Sequence, residues 1–267
     1  MQEFDSAEII KTIVLPKTIN ETSGLEFYNK NFITHNDSGD GPSLYVFNEN
    51  GDLIKTIDLN KDANFEIENN DWEDIASDDK YLYVADTGNN FGNRSNLNII
   101  RVNKEDDYKV DGIIEILYAD QETFFPRPKH KYDAEAILVI DEQLVLFSKD
   151  RENLNTDLYL VDKFEKAAQK LTSEFDFNVN SLITGGDYKN ELKLLALVSY
   201  NSQGNQYLIL FERFDLENLE ENTFKKYIIP LEKAQIESIK IIDKKTFWVT
   251  SEDEGVGNPI MYKLKVK

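Results

Sequence analysis

The chain has 267 residues, carries 50 acidic against 30 basic side chains for a formal net charge of −20, and contains no cysteine. This excludes disulfides, thiolate metal sites and cysteine nucleophiles, and with no basic patch in the sequence it argues against nucleic acid or an anionic membrane as partner. No run of about 18 or more apolar residues occurs, so no transmembrane helix is expected, and no Pro/Ser/Gly-rich linker divides a single expected domain, 1–267.

Taken in order, the chain opens with an apolar strand, Glu8 to Leu15, that belongs to no following unit. Five repeating units come next, each a small or acidic turn, a short strand, an apolar strand with a polar end, and one or two further strands. They begin at Ser23, Trp72, Asp133, Thr184 and Ile236. In the first unit Asn50-Gly51-Asp52 predicts a tight hairpin turn, because Asn-Gly accepts positive φ. In the third, Lys163 to Leu171 suits a short helix or a poor outer strand, and Glu217 to Asn222 in the fourth reads as an exposed acidic loop.

A unit of about 50 residues matches a four-stranded propeller blade. The expected fold is therefore an all-β propeller of five four-stranded blades. Its ring closes where the spare N-terminal strand becomes the outer strand of the last blade. The long connections Asp120 to Lys131 and Thr172 to Asn180 leave room for a sixth blade. A two-sheet sandwich is the competing architecture.

Aligning the first strands places Glu73, Glu135 and Glu237 at one repeat position, with Ser23 and roughly Gly186 in the other two units. First strands line the channel of a propeller, so these carboxylates converge and repel one another without compensation. A hard cation such as Ca2+ is one compensation; Lys149 or a water-filled polar channel are others. The polar ends of the second strands form a neighbouring ring of Asn36, Asp86, Lys149, Tyr200 and Ser251, flanked by His35, Asp37, Asp150 and Glu252. Glu73, Glu135, Glu237, Asn36 and Asp86 are the candidate metal ligands. His35, Asp37, Lys149, Tyr200, Ser251 and Glu252 are candidates for binding a small or anionic ligand. No catalytic residue is assigned.

His35 to Gly41 has oxygen ligands spaced as in a calcium loop, yet it lacks the full twelve-residue pattern of an EF-hand; a turn capped by Asp side chains competes with that reading. His130 falls in a basic loop, Pro126 to Lys131, expected to be exposed. Trp72 and Trp248 sit at strand positions and are expected in the core. Phosphate-cradling Gly-rich loops, nucleophile elbows and His-Glu-x-x-His are absent from the sequence.

The segments Glu21 to Leu25, His35 to Asp40, Asp71-Trp72-Glu73-Asp74-Ile75-Ala76, Asp86-Thr87-Gly88-Asn89-Asn90, Asp133 to Ala136 and Thr184 to Tyr188 resemble a group of uncharacterised bacterial propeller proteins. These are grouped with the phytase-like, TolB-like and lactonase-like propellers. The resemblance spans nearly the whole chain and implies a propeller, with a periplasmic or extracellular setting and a leader absent from this chain favoured over a cytoplasmic one, which stays open. In better-known relatives, channel calcium supports phosphoester or lactone hydrolysis. The paired histidines of some lactone hydrolases are missing here. Two functions stand open: a calcium-binding propeller that binds or hydrolyses a small anionic ligand, and a non-catalytic module for a protein or glycan partner with structural channel carboxylates. A monomer is expected.

Overall fold

The computed structural model describes residues 4–61, 66–231, 234–252 and 257–267. In chain order, β1 (Asp5–Ser6) and β2 (Glu8–Val14) precede the first complete blade, β3 (Thr22–Tyr28), β4 (Asn31–Asn36), β5 (Ser43–Phe47) and β6 (Leu53–Asp58). Blade 2 is built from β7 (Asp74–Ser77), β8 (Tyr81–Asp86), β9 (Asn98–Asn103) and β10 (Lys109–Tyr118). Blade 3 begins with β11 (Ala134–Ile140), β12 (Gln143–Ser148) and β13 (Thr156–Asp162). The chain then forms β14 (Gln169–Leu171) and β15 (Phe175–Phe177). Blade 4 holds β16 (Leu182–Lys189), β17 (Leu194–Tyr200), β18 (Gln206–Glu212) and β19 (Phe224–Ile229), and blade 5 holds β20 (Ile236–Asp243), β21 (Thr246–Ser251) and β22 (Ile260–Lys265).

Five sheets result, and the inner strands β3, β7, β11, β16 and β20 touch in cyclic order around one axis. This is the expected five-bladed propeller. Closure follows the expected route: β2 pairs antiparallel with β22 as the outer strand of blade 5. The N-terminal segment does more than that, because β1 first pairs parallel with β19 on blade 4. A second staple comes from the Lys163–Leu171 region. Its strand β14 pairs parallel with β10 on blade 2, and β15 then returns to pair with β13 on blade 3. The two long connections therefore hold no sixth blade among the described residues.

The second strand of each blade shows why the sequence is apolar at nearly every position there. In β8, Tyr81, Tyr83 and Ala85 enter the core shared with blade 3, while Leu82 and Val84 enter the core shared with blade 1. In β12, Leu144 and Leu146 face one way, Val145 and Phe147 the other. A strand between two blades has no solvent face, so period-two alternation divides it between two cores. Five such clusters fill the five blade interfaces. Trp72 and Trp248 are buried among them, as expected. Gly51 turns the β5–β6 hairpin with φ of 86°, the conformation that glycine supplies without a steric penalty.

Candidate functional site at the channel mouth

The inner strands carry register shifts near their starts, between Ala134 and Ala136, Ile183 and Gly185, and Ile236 and Ser238. A bulge adds one residue and re-aims its side chain; the residues passed over are Glu135, Thr184 and Glu237. Glu73 precedes β7 at the equivalent place, its amide bonded to Ala85 O at 3.0 Å. The fourth unit thus presents Thr184 rather than Gly186, whose backbone lies one step deeper. Neighbouring blades are tied at this level: the Ser23 hydroxyl donates to Glu73 O, Thr87 to Ala134 O at 2.7 Å, and Thr184 to Ile236 O at 2.5 Å.

Two adjoining groups of carboxylates form at this mouth. Oxygens of Asp37, Asp71 and Glu73 all lie within 4.8 Å of one another, and so do oxygens of Glu73, Asp133 and Glu135. Glu73 belongs to both. Of the residues singled out from sequence, the fold brings together Glu73, Glu135 and Asp37. Glu237 and Asp86 fall outside both groups.

The environment of each group differs. Glu135 pairs with Lys149 at 2.9 Å, and Asp133 with Arg151, whose second arm reaches Asn90 Oδ1 at 2.6 Å. Burial raises Glu135 to about 7, with Lys149 opposing. Burial also acts to raise Asp133, but Arg151 and Lys149 outweigh it and hold that carboxyl low. Burial works against the Lys149 charge, yet Glu135 and Glu237 keep it firmly protonated above Tyr200, whose ring lies 5.4 Å away.

Asp37, Asp71 and Glu73 have no salt bridge among the described residues. Burial and then the surrounding carboxylates, Glu135 and Asp37 foremost, push Glu73 well above the usual range. Burial and the Asp71 charge push Asp37 up to about 9. One oxygen of Asp37 is buried with no hydrogen-bond partner among the described residues. Burial raises Asp71 as well, and a bond from Asp37 opposes the rise.

The remaining candidates have local duties. Asp86 ends β8 as a buried hub, accepting from Arg94 at 2.8 Å, Asn70 at 2.9 Å and the Asp71 amide at 3.1 Å. Asn36 donates to Thr18 O and Asp40 Oδ2 and accepts from the Glu21 amide. Asp40 in turn accepts from Tyr45 and the Gly41 amide, so the His35 to Gly41 segment is a capped turn that sends Asp37 to the mouth. His35 is buried, its Nδ1 donating to Asn36 O at 3.1 Å, and burial lowers it to about 4. Its Nε2 turns towards Gly24 in the inner wall. Ser251 ends β21 in a buried position, and the Glu252 charge acts on both Asp37 and Glu237. His130 is a correction: it is buried although residues 122–129 are exposed. Its Nε2 donates to Asn90 O, and its Nδ1 accepts from the Tyr132 amide.

No family model matches the chain, and no curated protein matches it. Solved structures share its fold. A GH43 β-1,3-galactosidase with galactodeoxynojirimycin superposes with a TM-score of 0.55 at 11% identity, covering 97% of this chain and 94% of that one. A hypothetical protein from Leishmania major gives 0.52 at 10% identity, covering 97% and 91%. A chain of the mitotic checkpoint complex gives 0.50 at 11%, covering 100% and 98%. At these identities the likeness is one of architecture.

Asp71, Asp133 and Arg151 are not among the residues that the repeat alignment marks. The first two stand two residues before Glu73 and Glu135, in Asp71-Trp72-Glu73 and Asp133-Ala134-Glu135. Side chains two apart in an extended segment share a face, so the doubled acid was there to be read. Arg151 comes from a loop with no counterpart in the other units and carried no such signal.

Proposed function

We propose that the channel mouth binds a divalent cation, calcium in the first instance, through Asp37, Asp71 and Glu73, and presents it to a small anionic ligand. The observation that carries this reading is the grouping of those three carboxylates within 4.8 Å, with no salt bridge among the described residues. Calcium–oxygen distances of about 2.4 Å place ligand oxygens at most about twice that far apart. The orphaned Asp37 oxygen is a lone pair awaiting a partner. Glu135 and Asp133 already hold Lys149 and Arg151, so they form the wall beside the ion rather than its first ligands. Bound calcium supplies Lewis acidity and a more acidic water. Lys149 and Arg151 would steer an anion to it. The resemblance to phytase-like and lactonase-like propellers makes phosphoesters and lactones the first substrates to screen.

The test is calorimetric titration of chelator-treated protein with calcium. Wild type is expected to bind saturably, and Glu73→Gln and Asp37→Asn to bind at least about tenfold more weakly, since each removes a charged ligand. Absence of saturable binding in wild type would reject the assignment.

A second reading rests on Glu135, raised to about 7 beside the ionised Asp133. A carboxyl poised near neutrality is a general acid, and paired carboxyls are the machinery of glycoside hydrolysis. The galactosidase among the structural neighbours makes β-galactosides the substrates to try. Activity that survives chelation and falls in Glu135→Gln would select this reading over the first.

A further inference from the structure

The opposite end of the molecule carries a feature invisible in the linear sequence. Across blade 5 the strand registers place Lys240 opposite Trp248, Trp248 opposite Lys263, and Lys263 opposite Lys11. Four strands thus contribute one cross-sheet row, Lys-Trp-Lys-Lys, running outward from the axis. Lys263 Nζ lies 5.2 Å and Lys11 Nζ 5.7 Å from the centre of the Trp248 ring. The row faces blade 1, where Phe32 meets Trp248 edge-on at 5.7 Å and Phe27 meets Phe32 at 5.0 Å.

A cleft of about 340 Å³ opens between these surfaces, lined by Phe27, Trp248, Ile242, Lys189, Lys240 and Lys263 among others. That volume suits a small ligand. Lys240 is neutralised inside the channel by Glu26 and Asp187, each at 2.8 Å. The other three lysines form no salt bridge among the described residues: Lys189 donates to Ile242 O at 2.8 Å, Lys11 to Glu49 O at 3.3 Å, and Lys263 has only the indole. Glu49 is the one carboxylate on the lining among the described residues. Two lysines without a salt bridge, Lys189 and Lys263, line one cleft, and Lys11 lies over the same indole, in a chain of net charge −20. Phe27, 43% exposed, gives the cleft an open aromatic wall.

We propose that this cleft binds a small planar anion, an aromatic ring bearing a carboxylate or phosphate, with the ring against Phe27 and the edge of Trp248 and the charge between Lys263 and Lys189. Lysine stems cover aromatic surface whether or not a ligand is present, so the deciding substitution keeps the stem and removes the charge. Trp72 is fully buried at another blade interface, which leaves Trp248 as the fluorophore that reports on the cleft.

The experiment titrates the whole protein with benzoate, phenyl phosphate, inorganic phosphate and neutral benzyl alcohol, following tryptophan emission and heat. Saturable binding of benzoate or phenyl phosphate is expected, with the tighter of the two naming the anion. Lys263→Met and Lys189→Met are expected to weaken it at least about tenfold with the melting temperature unchanged, and Glu73→Gln to leave it intact. Wild-type affinity in Lys263→Met, or no saturable response to either aromatic anion, would overturn the proposal. Inorganic phosphate or benzyl alcohol binding as tightly as phenyl phosphate would overturn it too, by removing the ring or the charge from recognition.

Discussion

At the axis, one layer below the mouth, Asp74 does what no other side chain of the ring does among the described residues. Its carboxylate accepts from its neighbour Ile75 at 2.8 Å, from Ile137 of blade 3 at 3.0 Å and from Gly186 of blade 4 at 3.2 Å. It is 1% exposed. Asp74→Ala leaves three buried amides without acceptors, at about 1 kcal/mol or more each. A loss of at least about 3 kcal/mol is expected in urea denaturation, and a loss below about 1 kcal/mol would show that the amides find other partners. The mouth above makes a different prediction, from proton linkage. Asp37 and Glu135 titrate near 9 and 7 in the folded protein, and Glu73 is raised as well. Unfolded carboxyls titrate near 4. Between those values the native state holds protons that the unfolded state has released, so metal-free stability is highest in acid and falls as pH rises through the folded values. The melting temperature in chelator should therefore drop between about pH 5.5 and about pH 8.5. Excess calcium should reduce or reverse that drop, because the ion takes the place of the protons. A flat profile in chelator would contradict the raised values.

Among the elements, the loop after β8 shows how the motif Asp86-Thr87-Gly88-Asn89-Asn90 builds the site. Thr87 bonds Ala134 O, the Asn89 amide bonds Asp133 Oδ1 at 2.6 Å, and Asn89 Nδ2 bonds Tyr132 O at 2.7 Å. Blade 2 thereby holds the start of blade 3. Gly88 lies against the carboxylates of Glu73 and Asp71, and a Cβ there would collide with both. Gly88→Ala is expected to weaken calcium binding at least about tenfold with a smaller effect on melting, read by the same titration. Unchanged affinity would move the ion away from Asp71 and Glu73. Much of this was legible. The repeat unit, the channel glutamates, the outer role of the N-terminal strand and the Asn-Gly hairpin follow from period-two alternation and turn chemistry. The staple β14 was not, because a three-residue strand in a polar stretch pairs with a blade that precedes it by some fifty residues. The triad of buried Glu26 and Asp187 with half-buried Lys240 escapes the repeat alignment, yet its members all sit three residues after the aligned positions Ser23, Thr184 and Glu237. The repeat gave their level; which signs would meet across the axis depended on blade order.

For the whole molecule, the ring is a cycle of five cores joined by staples rather than one central core. Every blade then depends on two neighbours, and opening any interface exposes two faces. Trp72 reports on the interface of blades 1 and 2, and Trp248 on that of blades 5 and 1. In each single-tryptophan variant, Trp72→Phe and Trp248→Phe, tryptophan emission and far-UV circular dichroism are expected to give coincident midpoints in denaturant, as all-or-none loss requires. A separate early transition at Trp248 would mean that the seam gives way first.

That seam has a mechanical consequence. Glu8 lies opposite Lys265 and Val14 opposite Ile260, so the start of β2 and the end of β22 lie side by side at one edge of the blade. A force separating Glu8 from Lys265 peels the pair open one hydrogen-bonded rung at a time, since antiparallel bonds lie across the strands. Sliding the two strands past each other would instead strain every rung together. The ring resists being sheared and yields to being unzipped, and the parallel grip of β1 on β19 is the catch that a pull from that side must first release.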